Sequence, residues 1–170
     1  ARGAYWLGRS YKKLGNKELA TKWFKEASNY LTTYYGQLSF LELNSNDNFE
    51  LSKDIEFTKD YRNEFLKKDM VKVIYLLDEL DEDKYTKHIL RHLANDNIEK
   101  GSEILAAELA TNIGRFDFGI QISKLASYEK RFHNKYNYPI ISTPKYINGR
   151  KIPENAFILS IIRQESEFDL

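Results

Sequence analysis

The sequence predicts an all-α fold, an α-solenoid built from antiparallel helix pairs. Glycine and proline, which interrupt regular elements, number only 8 and 3 among 170 residues, and this composition favours long helices with few turns. The apolar residues between polar breaks recur with the spacing of one helix face rather than with the alternation of a strand. Short polar connections between neighbouring helices then imply antiparallel pairs that stack as a solenoid.

Composition excludes several classes of protein. The net charge is +1, from 26 basic and 25 acidic side chains, which leaves no electrostatic footprint for nucleic acid. The chain has no cysteine, so it has neither disulfides nor a thiolate metal site, and this fits an oxidising compartment. No apolar run approaches the roughly 18 residues that span a bilayer, and we predict no cofactor. The start at Ala1-Arg2-Gly3, without Met or a signal peptide, indicates a processed protein or an internal fragment.

Residues 1–30 have the pattern of a helical hairpin. Gly15-Asn16 separates two helices, because both residues tolerate a left-handed turn. Gly8 and Ala20 are small enough to let the helices approach, and Tyr11 and Phe24 fill the space beside them. The pattern is similar to one tetratricopeptide unit, but a shift of about 34 residues finds no second copy, so we interpret it as a packing module. The two apolar faces consist of Ala4, Leu7, Gly8 and Tyr11, and of Ala20, Phe24 and Ala27.

Further helices are predicted after the hairpin. Thr32 or Thr33 can cap the next one. Tyr34 and Tyr35 are interpreted as partly buried aromatics that tie helices together, with sugar stacking as the open alternative. A polar, turn-rich stretch over 44–48 marks a boundary. The expected helices beyond it, each with one buried stripe, span 58–68, 70–80, 83–94, 98–113 and 116–129.

Two local features resemble metal sites, but each has a simpler interpretation. The acidic stretch Asp78–Asp83 lacks the glycine and the spaced oxygens of a calcium loop, so Asp81 or Asp83 is interpreted as a helix N-cap. His88 and His92 stand at i and i+4, but no third ligand can be placed beside them, so the sequence predicts no metal site.

Residues 134–152 differ in character from the helical part. Pro139 and Pro144 lie within the segment, Pro153 follows it directly, and these are all the prolines of the chain. Proline forces the preceding residue away from the helical region, and Asn148-Gly149 predicts a turn. We therefore expect an extended or looped connection here.

The last segment, 153–170, predicts a helix with one exceptional carboxylate. Pro153 suits the first turn of a helix, and Ile158, Ile161, Ile162 and Phe168 follow with helical spacing. The same spacing places Glu165 on this apolar stripe. A carboxyl group at the edge of an apolar surface is poorly solvated, which raises its pKa toward the range that a general acid needs. The alternative is an ordinary charged helix end.

Three stretches resemble the soluble lytic transglycosylases. Ile161-Ile162-Arg163-Gln164-Glu165-Ser166, with Phe168 and Asp169, is similar to the segment that opens the lysozyme-like catalytic domain of that family. Ala4-Tyr5-Trp6-Leu7-Gly8-Arg9 and Thr33-Tyr34-Tyr35-Gly36-Gln37-Leu38 look like the end of its superhelical region. The resemblance implies four segments: 1–44 as the superhelical end, 45–133 as a helical linker domain, 134–152 as a connecting loop, and 153–170 as the first helix of a truncated catalytic domain.

The resemblance also implies roles for residues. Glu165 would be the catalytic acid/base, and Ser166 would help to hold substrate, unless its hydroxyl is bonded back to the carbonyl of Ile162. Glu167 departs from the small residue expected at its position. Asp169, at i+4 from Glu165, is an unlikely second carboxylate, since a helix neighbour does not reach across a substrate.

The function implied is cleavage of peptidoglycan glycan strands between N-acetylmuramic acid and N-acetylglucosamine, in the periplasm, with cell-wall synthesis proteins as expected partners. The walls of the family's glycan cleft lie beyond the position of Leu170, so residues 1–170 alone are expected to be inactive. The alternative function is a noncatalytic α-solenoid that binds a protein partner, with 153–170 as its last packing helix.

Overall fold

The computed structural model describes residues 1–44, 51 and 57–169. The chain divides into two compact units, Ala1–Ser52 and Lys53–Leu170, so the segments 134–152 and 153–170 share a unit with the helices that precede them. Over the described residues the fold is all α apart from one two-stranded hairpin, which confirms the all-α part of the predicted fold class. The solenoid arrangement and the lysozyme-like domain stay predictions. The boundary predicted at 44–48 lies outside the described residues, except for Asn44, the C-cap of the third helix.

The first unit contains the predicted hairpin, α1 (Arg2–Lys13) and α2 (Lys17–Ser28). Gly15 joins them with a φ of 77°, and the Asn16 side chain caps α2 by accepting a hydrogen bond from the Leu19 N–H at 3.1 Å. A Cβ atom on Gly8 would lie 2.7 Å from the Phe24 ring. The close approach of the two helices at Gly8 is therefore confirmed, and it explains why a glycine is needed there.

The third helix, α3 (Tyr34–Leu43), begins where Thr33 caps it through the Gly36 N–H at 3.1 Å. Gly36 is buried so closely against the preceding turn that a Cβ atom would lie 1.9 Å from the Tyr30 carbonyl oxygen. Gln37 donates a hydrogen bond to the Leu31 carbonyl at 2.9 Å. Three residues of the Thr33–Leu38 stretch thus have structural roles in turning the chain into α3.

The second unit begins with five helices that match the predicted spans closely. The exception is the span 98–113, because its helix begins only at Ser102. A 3-10 turn over Ile98–Lys100 comes first, and Gly101 follows it with a φ of 90°. Ser102 fixes this break by donating from Oγ to the Ala94 carbonyl. The helices are α4 (Lys59–Leu66), α5 (Asp69–Glu79), α6 (Asp83–Asp96), α7 (Ser102–Asn112) and α8 (Phe116–Tyr128).

Helix α7 is the centre of the second unit. It packs against α4, α6 and α8, and its alanines 106, 107 and 110 are fully buried. A Cβ atom on Gly119 of α8 would lie 3.2 Å from the Ala107 carbonyl oxygen, so the small residues allow a close approach of the two helices.

The predicted capping of α6 is wrong. The N-cap position is Glu82, and it makes no side-chain cap hydrogen bond. Asp81 has a φ of 55° and belongs to the turn, while Asp83 is the first helical residue and forms an ion pair with Arg115. Arg115 is the N-cap residue of α8 and lies far along the sequence from Asp83, so local spacing does not reveal the pair.

The connection to the last helix is more ordered than an extended loop. A short helix, α9 (Asn134–Asn137), is followed by an antiparallel hairpin of β1 (Tyr146–Ile147) and β2 (Arg150–Lys151). The predicted Asn148-Gly149 turn is confirmed, since both residues have positive φ angles of 50° and 75°. The last helix, α10, spans Asn155–Glu165. No helix in the described part of the chain has the length and apolar character needed to cross a membrane.

Candidate active site at the end of the last helix

The first turn of α10 is tied to the segment before the β-hairpin. The Asn155 side chain accepts a hydrogen bond from the Thr143 hydroxyl at 2.6 Å and donates one to the Ile141 carbonyl at 3.1 Å. A hollow of about 350 Å³ lies beside this end of the helix, lined by residues 142–146 and 151–155. Glu165 is not part of that lining, because it lies at the opposite end, about 15 Å away at 1.5 Å of rise per residue.

The last turn of α10 is held by Arg163. Its guanidinium donates from Nε to the Asn137 carbonyl at 2.9 Å and from Nη2 to the Asn137 side-chain oxygen at 2.8 Å. Asn137 is itself buried. A bidentate contact from a rigid guanidinium fixes both position and direction, so Arg163 sets the orientation of α10 relative to α9.

The chain leaves α10 through a left-handed turn that brings Phe168 into the core. Glu167 and Phe168 have φ angles of 53° and 63°. Phe168 is 2% exposed, and its ring lies 6.2 Å from that of Phe116 at the start of α8. Glu167 binds Lys124 of α8 at 2.7 Å and Arg163 at 3.3 Å. The hydrogen bond from Lys124 is the main reason why the pKa of Glu167 lies below its ordinary value.

Glu165 lies between these two anchors, and it is exposed to solvent. The predicted shielding of this carboxylate is therefore wrong within the described chain. No residue of α10 is buried, and Phe157 and Ile161 are 58% and 47% exposed. The physical reason is the end of the helix at Glu165, since Phe168 leaves the expected stripe and packs on α8 instead.

The early end of the helix also corrects the expected relation of Asp169 to Glu165. Asp169 follows two residues with positive φ, and its N–H donates to the Ser166 carbonyl at 3.0 Å. The two carboxylates therefore do not share a helix face. Asp169 remains outside the candidate site because it lies beyond the end of the helix, whereas the sequence suggested that it was a helix neighbour of Glu165.

Ser166 is the C-cap residue of α10 and is exposed. Its hydroxyl donates to the Ile162 carbonyl at 3.4 Å, which is the local bond that the sequence left open as an alternative. This contact is long and exchanges readily with water. The predicted role of Ser166 in holding substrate stays a prediction.

A buried polar cluster, which sequence reasoning missed, holds the helix to which Arg163 is bound. Glu103 of α7 accepts hydrogen bonds from Arg131 at 2.9 Å to each of its two oxygens, and its Oε2 lies 3.0 Å from His133 Nε2. Burial alone would raise the pKa of Glu103, but the hydrogen bonds and charges of His133 and Arg131 lower it to about 2. His133 is the N-cap of α9, so this cluster holds the helix to which Arg163 is bound.

A second, partly buried polar contact ties α9 to the centre of the unit. Arg62 binds Glu108 of α7 with two parallel hydrogen bonds of 2.7 Å, and the Tyr136 hydroxyl donates to Glu108 at 3.2 Å. The sequence contains part of this information. Glu103 and Glu108 are the two charged residues of α7, whose other residues are mostly apolar, but their partners lie 28 to 46 residues away.

The other candidates from the sequence do not join this site. His88 and His92 are both exposed on α6. In the part of the chain that the structure describes, no group of three or more His, Cys, Asp or Glu side chains is placed to hold a metal ion. The site therefore consists of one exposed carboxylate on a firmly positioned helix, which can exchange a proton with a molecule bound from solvent. Comparisons with protein-family models, with curated proteins and with solved structures find no match to this chain.

Proposed function

We propose that this chain carries the superhelical end, the linker and the first catalytic helix of a lytic transglycosylase, with Glu165 as general acid and base. The observation that carries the proposal is the position of Glu165: its carboxylate faces solvent between two anchored residues, Arg163 and Phe168. A catalytic carboxylate must be reachable by substrate and must stand on a firmly held part of the chain. Glu165 is exposed, and the helix end that carries it is held by Arg163 and Phe168. The resemblance in residues 161–169 supplies the reaction.

The proposed substrate is the glycan strand of peptidoglycan. Protonated Glu165 gives its proton to the glycosidic oxygen, and the bond between that oxygen and C1 of N-acetylmuramic acid breaks as an oxocarbenium-like state develops. Glu165, now a carboxylate, takes the proton of the 6-hydroxyl of the same sugar, whose oxygen then bonds to C1. The product is a 1,6-anhydro ring, no water is consumed, and Glu165 ends in its original protonated form.

One carboxylate is enough for this reaction because an internal hydroxyl takes the place of water. Glycosidases that use water need a second carboxylate about 5–10 Å from the first. The neighbouring acidic side chains do not meet that need, since Glu167 is paired with Lys124 and Arg163. The open side of α10 at Phe157 and Ile161 is where a further wall of the cleft would pack and shield Glu165 from water.

Product analysis tests the proposal. A protein that contains these residues together with the sequence following them is incubated with purified peptidoglycan, and the released fragments are weighed by mass spectrometry. We expect anhydro-ended fragments that disappear in Glu165→Gln and persist in Glu154→Gln, a matched exposed carboxylate at the other end of α10. Reducing ends would indicate a hydrolase instead, and equal activity of the two variants would remove Glu165 from the mechanism.

A second function is favoured by the exposed apolar side chains of Phe157 and Ile161 on α10, which a protein partner could cover. A noncatalytic α-solenoid that binds a protein partner would need Arg163 and Phe168 for packing but would not need the carboxylate between them. That function predicts no released fragments from any variant, and unchanged partner binding in Glu165→Gln.

A further inference from the structure

We propose that the first unit has a binding site for an acidic oligosaccharide, formed by α1 and α3. Four aromatic rings are in contact there. The ring centroids of Tyr5 and Trp6 are 5.4 Å apart, those of Trp6 and Tyr35 are 6.4 Å apart, and those of Tyr34 and Tyr35 are 5.3 Å apart. The interplanar angles of these pairs are 71°, 55° and 72°. The rings therefore meet edge to face or tilted in one continuous cluster, here called the aromatic platform, that crosses from α1 to α3.

Packing accounts for only part of this platform. Tyr5 is buried in the core of the unit, whereas Trp6 is 52% exposed and Tyr34 is 68% exposed. The start of α3 is already fixed by Thr33, Gly36 and Gln37, so Tyr34 is not needed to hold it. Two large aromatic side chains that are each more than half exposed, both beside Tyr35, form an exposed contact surface.

Cationic side chains surround the exposed rings. Three cationic residues share the face of α1 that carries Trp6, because their positions follow helical spacing. Arg2 lies four residues before Trp6, Arg9 lies three residues after it, and Lys13 lies seven residues after it. The Arg2 guanidinium lies 5.8 Å from the Tyr35 ring centroid. A hollow of about 450 Å³ continues from Trp6 along α1, lined by Trp6, Arg9, Ser10, Lys12, Lys13 and Glu42.

Glu42 decides which ligand suits the hollow. Its carboxylate binds Lys12 at 2.5 Å and lies 3.8 Å from Arg9, so it offsets much of the positive charge inside the hollow. A sugar has hydroxyls that can donate to this carboxylate and a flat apolar face that can stack on an aromatic ring. A nucleic acid would share the stacking, but it carries a phosphate on every nucleotide. Glu42 therefore repels it more than an oligosaccharide that has a carboxylate only on every second sugar and can turn its hydroxyls toward Glu42.

The charges near the platform favour an acidic sugar. Among the described residues neither Lys13 nor Arg2 forms an ion pair, and the Arg2 guanidinium lies over the ring of Tyr35. A carboxylate carried by the saccharide can pair with either of them, since charge-assisted hydrogen bonds of this kind are the strong ones. Residues 1–44 contain 7 basic and 3 acidic side chains, and this excess attracts an anionic chain from solution. The site lies apart in sequence from Glu165 and does not depend on its chemistry.

Binding by the full chain tests the proposal. The probe is the peptide-free tetrasaccharide of alternating N-acetylglucosamine and N-acetylmuramic acid. Chitotetraose is the matched neutral probe, because it has the same backbone without the carboxylates. In a Trp23→Phe background, Trp6 is the only tryptophan, so its emission reports directly on the platform. We expect a saturable change in emission with the acidic tetrasaccharide and about tenfold weaker binding of chitotetraose, which lacks the charged contacts.

Calorimetry on variants locates the site. Tyr34→Ala and Trp6→Ala are each expected to weaken binding of the acidic tetrasaccharide about tenfold, the effect of losing one stacked ring. Tyr128→Ala is the control, because Tyr128 is an equally exposed aromatic in the second unit. Tyr34 is outside the core, so Tyr34→Ala stays informative even if Trp6→Ala loses stability.

Several results would overturn the proposal. The first two are an absence of binding and equal affinity for the acidic and the neutral tetrasaccharide. The third is a loss of affinity with Tyr128→Ala as large as that with Tyr34→Ala. The fourth is tighter binding of oligodeoxythymidylate, which would identify a nucleic-acid surface. Cleavage of peptidoglycan through Glu165 is measured separately, so the two proposals stand or fall independently.

Discussion

Glu103 is the residue whose ionisation matters most to the stability of the second unit. Its side chain is 8% exposed and is bound by Arg131 and His133. Because its pKa is lowered from 4.5 to about 2 in the folded chain, the unfolded state takes up the proton first as the pH falls. The stability from this group is therefore fully present above about pH 4.5 and is lost as the pH falls toward 2.

We predict that this pH dependence disappears in Glu103→Gln. The difference between the two pKa values corresponds to about 3 kcal/mol of unfolding free energy at neutral pH. Urea denaturation followed by circular dichroism between pH 7 and pH 2 measures it. Glu99→Gln, an exposed carboxylate on the adjacent 3-10 turn, is the control that should keep the wild-type profile. A Glu103→Gln profile as steep as that of the wild type would show that other groups are responsible.

Gly36 is a second residue whose replacement has a defined consequence. In Gly36→Ala, the added Cβ would lie 1.9 Å from the Tyr30 carbonyl oxygen, so the start of α3 must move. We expect a loss of stability of about 2 kcal/mol or more. Trp6 and Trp23 are the two tryptophans of the chain and both lie in the first unit, so the midpoint of tryptophan emission on urea denaturation reports it. Gly3→Ala is the matched control, because open space surrounds that position and alanine favours the helix.

At the scale of elements, α10 depends on one side chain for its orientation. We predict that Arg163→Lys speeds amide hydrogen exchange in the last two turns of α10, because an ammonium group cannot reproduce the two directed bonds to Asn137. Arg150→Lys, at an exposed arginine of β2, should leave exchange in α10 unchanged. Equal exchange in both variants would mean that Asn155 and Phe168 suffice to hold the helix.

Regular helices could be predicted from the sequence, and the elements around the site could not. The pattern over 58–129 predicted five helices because apolar residues recur there at helical spacing. Helix α7 departs from the predicted single buried stripe, since eight of its residues are buried. Phe168 is seven residues after Ile161 and so appeared to continue the stripe of α10. Its contact with Phe116 is a tertiary one, and that contact draws the chain into a left-handed turn. The short α9 and the β-hairpin fall below the length at which periodicity is informative.

The candidate site was predicted in part. The sequence identified Glu165 from its spacing and from resemblance. It also placed the carboxylate at the edge of an apolar stripe, where it would be poorly solvated, whereas the structure exposes it. The supporting cluster of Glu103, Arg131 and His133 was missed because its members are joined only by folding. Long-range ionic partners have no signature in a single sequence.

At the scale of the whole molecule, the isolated chain of residues 1–170 is predicted not to release fragments from peptidoglycan. Glu165 is exposed, and its neighbours on α10 are open to water, so a bound sugar would find neither a wall nor a shielded proton donor. Incubation with purified cell walls and mass analysis of the soluble fraction measure this directly. Turnover above a Glu165→Gln blank would show that these residues are sufficient.

The uncovered side of α10 has a practical consequence for handling the protein. Phe157 and Ile161 project into solvent near each other, at i and i+4 on one face. A contiguous exposed apolar surface of this kind promotes aggregation at high protein concentration. It also binds fluorescent dyes such as anilinonaphthalene sulfonate in the native state. Ile161→Lys should therefore lower the fluorescence of the bound dye and reduce aggregation in concentrated samples. The lower aggregation would help the chain to crystallise.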